Sequence, residues 1–179
     1  MNNLPELYPG RLAVLIAPYA AAEILPALAA RLAQRGRLRI LDAGNRFDAY
    51  GLARALRRLS AAPLEESLSR VRLARAFTCY QMLALAAQAP ADANPTLVID
   101  LLSTFYDESV ALQERRRLLR GCLDELQRLS RQAPVVVTLR PLPPGSQDKS
   151  GFMAQVQAAA DACWMPEAPA PPPAPLRLF

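Results

Sequence analysis

Four short runs of branched apolar residues recur along the chain: Arg11–Ala17 (RLAVLIA), Arg37–Asp42 (RLRILD), Thr96–Asp100 (TLVID) and Pro134–Leu139 (PVVVTL). Strands this apolar must be buried on both faces, and segments of helical period lie between them. The alternation predicts an α/β fold in three layers, with a mainly parallel central sheet flanked by helices. A shorter run at Val71–Ala74 adds a strand, and Ala162–Met165 an edge strand. Helices are expected at Ala20–Gln34, Asp48–Leu59, Thr78–Gln88, Ser109–Gln132 and Ser150–Ala160. The fourth is the clearest: Leu112, Leu118, Leu119, Cys122, Leu126 and Leu129 share one side of it.

A length of 179 residues suits one such domain, spanning residues 1–165. Pro141–Lys149 reads as a loop. Residues 166–175, PEAPAPPPAP, can form neither helix nor sheet, so residues 166–179 are expected to be a polyproline spacer and a short apolar tail. The apolar fraction is 52%, yet no run approaches the ~20 residues of a spanning helix, so no membrane contact is expected. Residues 1–9 lack the basic and then apolar order of a signal peptide, which implies a cytoplasmic chain. Cys79, Cys122 and Cys163 stand too far apart for a CxxC pair and read as reduced, mostly buried thiols.

The chain contains no histidine, which excludes Ser-His-Asp and Cys-His nucleophilic catalysis and histidine-ligated metals. Carboxylate, arginine and backbone chemistry remain. Lys149 is the only lysine among the 21 basic residues, and the net charge is +5. Arginine favours bidentate contact with phosphate or carboxylate, although an Ala-, Pro- and Arg-rich composition also follows from a GC-rich genome.

In an open parallel sheet, ligands sit beyond the carboxyl ends of the strands. The loops after Ala17, Asp42, Asp100 and Leu139 therefore mark the edge to inspect. The first of them runs from a strand into a helix, the setting of a phosphate-binding loop, which needs glycines, a lysine and a hydroxyl. In that frame stand Ala17-Pro18-Tyr19-Ala20-Ala21-Ala22-Glu23-Ile24. Alanines Ala17 and Ala22 replace glycines, Glu23 the lysine and Ile24 the hydroxyl. A carboxylate repels polyphosphate and β-carbons disfavour an anion nest, so ATP binding in the usual mode is not expected.

At this point the chain resembles the RecA-like recombinase family, especially its RadA branch. Residues 74–83, ARAFTCYQML, look like the segment after the third core strand of that family. Residues 41–47, LDAGNRF, look like the end of its second strand, where the family's water-activating glutamate is replaced by Gly44. Thr96–Asp100 resembles the Walker B strand, with Asp100 at the place of the magnesium-associated aspartate. The resemblance implies a RecA-like domain whose nucleotide site is degenerate at Ala17, Ala22, Glu23, Ile24 and Gly44, with Asp100 kept. It also implies a pseudo-ATPase without a cofactor, acting in DNA repair, recombination or damage tolerance through a protein partner such as a recombinase or polymerase. Alternatives are an ATPase with a non-standard loop and a scaffold unrelated to DNA.

Asn45, Arg46, Arg75 and Gln81 are candidates for a partner or anion site at this edge. Against that, Asp48 or Asn45 would cap the following helix while Gly44 makes the turn. Asp42, Asp100, Asp107 and Glu108 could converge on a metal, or Asp107 and Glu108 could favour the positive end of a long helix; no metal is expected. Arg54, Arg57 and Arg58, and Arg116, Arg117 and Arg120, form basic strips suited to nonspecific DNA or to a solvated face. The segment Leu176-Arg177-Leu178-Phe179, after Pro175, resembles the sliding-clamp-binding peptide of bacterial polymerases, with Leu176, Leu178 and Phe179 as its anchors. A tail folded back on its own domain is the other reading.

Overall fold

A computed structural model describes residues 7–17, 24–142 and 147–165. Apolar alternation sets the strands β1 (Leu12–Ile16), β2 (Leu38–Asp42), β3 (Val71–Arg75), β4 (Thr96–Ile99), β5 (Val135–Leu139) and β6 (Ala162–Trp164). All pair in parallel, in the order β3-β2-β4-β5-β1-β6. The α-helices are α1 (Ile24–Ala33), α2 (Ala49–Leu59), α3 (Leu64–Ser69), α4 (Cys79–Gln88), α5 (Leu112–Ser130) and α6 (Gln147–Ala159). A 3-10 helix, Leu101–Tyr106, follows β4. The three-layer α/β expectation is met.

Each central strand alternates between two cores. Leu12, Val14 and Ile16 of β1 join α4, α5, α6 and the 3-10 helix on one face, whereas Leu15 joins α1 and α2 on the other. β4 divides likewise, with Val98 on the first face and Leu97 and Ile99 on the second. The chain before β3 thus covers one face and the chain after it the other. Neighbours β2 and β4 send their following helices to opposite faces, as do β1 and β5, which opens a crevice at their carboxyl ends.

Several boundaries depart from expectation. The long helix begins at Leu112 rather than Ser109, and Leu112 is 42% exposed, outside the buried stripe of Leu118, Leu119, Cys122, Leu126 and Leu129. Its cap position is Ala111, and Asp107 instead accepts the Ser109 N–H at 3.0 Å in a tight turn, so Asp107 and Glu108 do not sit in its first turn. Helix α6 takes in Gln147, Asp148 and Lys149, so the Pro141–Lys149 loop is shorter than expected. Helix α3 and the 3-10 helix were not anticipated; both are too short to show a period. The expected edge strand is β6. The Asp161 carboxylate accepts the Leu12 N–H at 2.7 Å and the Asp161 N–H donates to the Leu12 carbonyl at 2.9 Å, clamping that edge to β1. No described helix is long and apolar enough to cross a membrane.

Candidate functional site

Asp42 ends β2 and is fully buried. A buried carboxylate must be neutralised or fully hydrogen-bonded. Its oxygens accept the backbone N–H of Arg46 and of Phe47 at 3.0 Å, and Arg75 of the neighbouring strand lies 3.5 Å away. These bonds fold residues 43–47 into a compact loop in which Asn45 has φ +52°. Asn45, not Gly44, therefore takes the left-handed turn, a conformation asparagine tolerates. Asp48 occupies the cap position of α2 but makes no side-chain capping bond, so Asp42 rather than Asp48 or Asn45 organises this entry.

Gly44 has a different reason to be glycine. A Cβ there would lie 2.6 Å from the Asp100 Cβ and 2.8 Å from its Oδ2. Asp100 itself has φ +53°, which swings its side chain over Gly44, and its N–H donates to the Thr138 hydroxyl at 3.0 Å. The Asp100 Oδ2 meets Arg140 Nε at 2.8 Å and Arg46 Nε at 3.3 Å. Burial nevertheless outweighs both guanidiniums and raises the Asp100 carboxyl above its ordinary value. Tyr106 beside it is pushed up to about 12 by burial, with the Asp100 charge adding to the shift.

Beside Asp100 and its two arginines lies a cavity of about 390 Å³ at the ends of β1, β2, β4 and β5. Leu15, Leu25, Ala29, Leu97, Ile99 and Phe47 give it an apolar floor, and Asn45, Arg46, Asp48, Asp100, Thr138 and Arg140 a polar mouth. Of the sequence candidates, Ala17, Ile24, Gly44, Asn45, Arg46 and Asp100 line it. Arg75 stands behind it, on Asp42. Gln81 does not reach it: its side-chain Oε1 accepts the Phe77 N–H at 2.8 Å while the Thr78 hydroxyl accepts the Gln81 backbone N–H at 3.2 Å, a reciprocal cap on α4.

Arg54, Arg57 and Arg58 are exposed on α2, and Arg116, Arg117 and Arg120 on α5, across the sheet. Ala22, Glu23, Leu176, Leu178 and Phe179 lie outside the described residues. Among the described residues no cluster of three or more acidic or cysteine side chains could hold a metal. Sequence reasoning missed Arg140, Thr138 and Tyr106; Arg140 is the first residue beyond β5, where the strand-end rule looks. No protein-family model and no curated protein matches the sequence.

Proposed function

We propose that this chain is a non-catalytic, RecA-like accessory protein of DNA repair, recombination or damage tolerance, acting by binding other proteins. The observation that carries the non-catalytic part is the setting of Asp100. Its Oδ2 already receives Arg46 and Arg140, so a magnesium ion there would have to displace two cations. A Cβ at position 44, where the resemblance would put a catalytic glutamate, would stand 2.6 Å from the Asp100 Cβ, so a side chain there requires Asp100 to shift. Together with the glycine-poor, lysine-free loop in residues 17–24, this supports a site that no longer holds or hydrolyses a nucleoside triphosphate. The repair assignment rests on the resemblance of residues 41–47, 74–83 and 96–100, and the partner on the clamp-like segment, whose three apolar anchors suit micromolar binding.

Calorimetric titration of the full chain with ATP and magnesium should give no binding isotherm, and titration with a purified bacterial sliding clamp should give a micromolar one. The clamp signal should vanish when Leu176, Leu178 and Phe179 are replaced by alanine. An ATP isotherm would overturn the pseudo-ATPase reading; an unchanged signal from the triple variant would overturn the clamp reading.

A further inference from the structure

Arg39 and Arg72 are Cα partners in the parallel pairing of β2 and β3, so two guanidinium side chains leave the same side of the sheet from neighbouring strands. Arg37 precedes β2. All three line a hollow of about 180 Å³ at the amino ends of these strands, completed by Leu38, Asp92 and Asn94. We propose that this hollow binds a terminal phosphate, either inorganic phosphate or a phosphomonoester. It lies at the opposite end of the strands from the Asp100 cavity, and it does not rest on the repair reading.

Charge carries the inference. The lining holds three guanidiniums and one carboxylate, an excess of two positive charges. Asp92 faces Arg39, whose Nη2 is 3.4 Å from both of its oxygens, and also accepts the Asn94 N–H at 3.0 Å. Among the described residues neither Arg37 nor Arg72 forms an ion pair. Like charges held side by side repel; a dianion cancels the excess, whereas a monoanion leaves half of it. The guanidinium fork also matches phosphate oxygens in bidentate contact. Size limits the ligand to a head group, because the hollow is smaller than the ~300–1,000 Å³ of sites that enclose whole small molecules. Part of the receptor is fixed in advance. Arg39 Nη1 donates to the Thr96 hydroxyl at 3.1 Å, and the Arg37 N–H donates to Asn94 Oδ1 at 3.2 Å, which ties the start of β2 to the turn that carries Asp92. Such preorganisation lowers the ordering cost of binding. Arg37 and Arg72 are exposed and reachable from solvent.

The test is calorimetric titration of the full chain at pH 8 and constant ionic strength, with inorganic phosphate, methyl phosphate, dimethyl phosphate and acetate as probes. The first two, dianions at that pH, should bind with dissociation constants of about a millimolar or tighter, and the monoanions dimethyl phosphate and acetate about tenfold more weakly. Binding of inorganic phosphate without methyl phosphate would restrict the site to the free ion, which still supports it. Arg37→Gln and Arg72→Gln should each weaken phosphate about tenfold, the loss of one charge-assisted contact. Arg31→Gln, which removes an exposed arginine of α1, should leave it unchanged. Phosphate no tighter than acetate, parent-like binding in Arg37→Gln or Arg72→Gln, or equal weakening by Arg31→Gln would each overturn the proposal.

Discussion

A methyl group at position 44 would stand 2.6 Å from the Asp100 Cβ, closer than van der Waals contact allows. Gly44→Ala should therefore cost about 1–3 kcal/mol through overpacking, lowering the thermal midpoint by roughly 2–4 °C per kcal/mol for a domain of this size. Circular dichroism melting checks this, and an unchanged midpoint would mean that the Asp100 side chain does not fill that space. Asp100 adds a pH dependence. Burial raises its carboxyl despite Arg140 and Arg46, so the folded chain holds that proton more tightly than the unfolded chain does. Stability from this position is then greatest at low pH and falls as pH rises from about 3.9 through the raised folded value. Asp100→Asn cannot titrate there. Urea midpoints of parent and variant between pH 4 and 7 should diverge in favour of the variant as pH rises; parallel curves would contradict a raised carboxyl. The thiols offer a third residue-scale check. Cys163 is exposed, whereas Cys79 and Cys122 are buried and burial pushes Cys122 up to about 12. A thiol reagent at pH 8 should modify one cysteine of the native chain and all three after unfolding.

Among the elements, α4 shows how a local signal becomes structure. Thr78 and Gln81 cap its start reciprocally, and Arg128 of α5 donates to the Ala89 carbonyl at 2.8 Å beyond its end. Thr78→Ala should cost about 0.5–2 kcal/mol, the usual worth of such a cap, measured by urea unfolding. From sequence, Thr78 stands as the first helical residue and Gln81 as a binding candidate; a Thr three residues before a Gln at the start of a helical period is the signal that marks the cap instead. The strands were legible, because β1, β2, β4 and β5 are buried on both faces and their composition records it. The loop after β2 was not. Its shape depends on Asp42 bonding to N–H groups four and five residues on, and Gly44 owes its identity to Asp100, fifty-six positions away. Only the paired register of β2 and β4 brings those two together. Arg140 was missed for the same reason: its partner Asp100 is adjacent only across the sheet. No single-segment pattern carries a contact of that range.

The architecture of the whole molecule bears on DNA. Each basic strip is a candidate for phosphate contact, and α2 and α5 cover opposite faces of the sheet, so the two strips do not form one surface. They also differ in how far their charge is compensated. Arg117 pairs with Glu114 at 2.7 Å, and the Arg116 guanidinium lies against α6, 3.6 Å from where a Cβ on Gly151 would stand. Arg54, Arg57 and Arg58 are all exposed on a helix with no acidic residue in its first turn. If the chain contacts duplex DNA, the α2 strip should carry the contact. Each phosphate neutralised contributes a slope of about −0.9 in log K against log salt, so replacing Arg54, Arg57 and Arg58 by glutamine should flatten the dependence by up to roughly 2.7. The matching replacement of Arg116, Arg117 and Arg120 should leave it nearly unchanged. Fluorescence anisotropy with a labelled duplex between about 50 and 200 mM salt distinguishes these outcomes. Equal flattening by both triples would mean that DNA wraps the edge of the sheet, and affinity insensitive to salt in the parent would remove DNA from the partners of this fold.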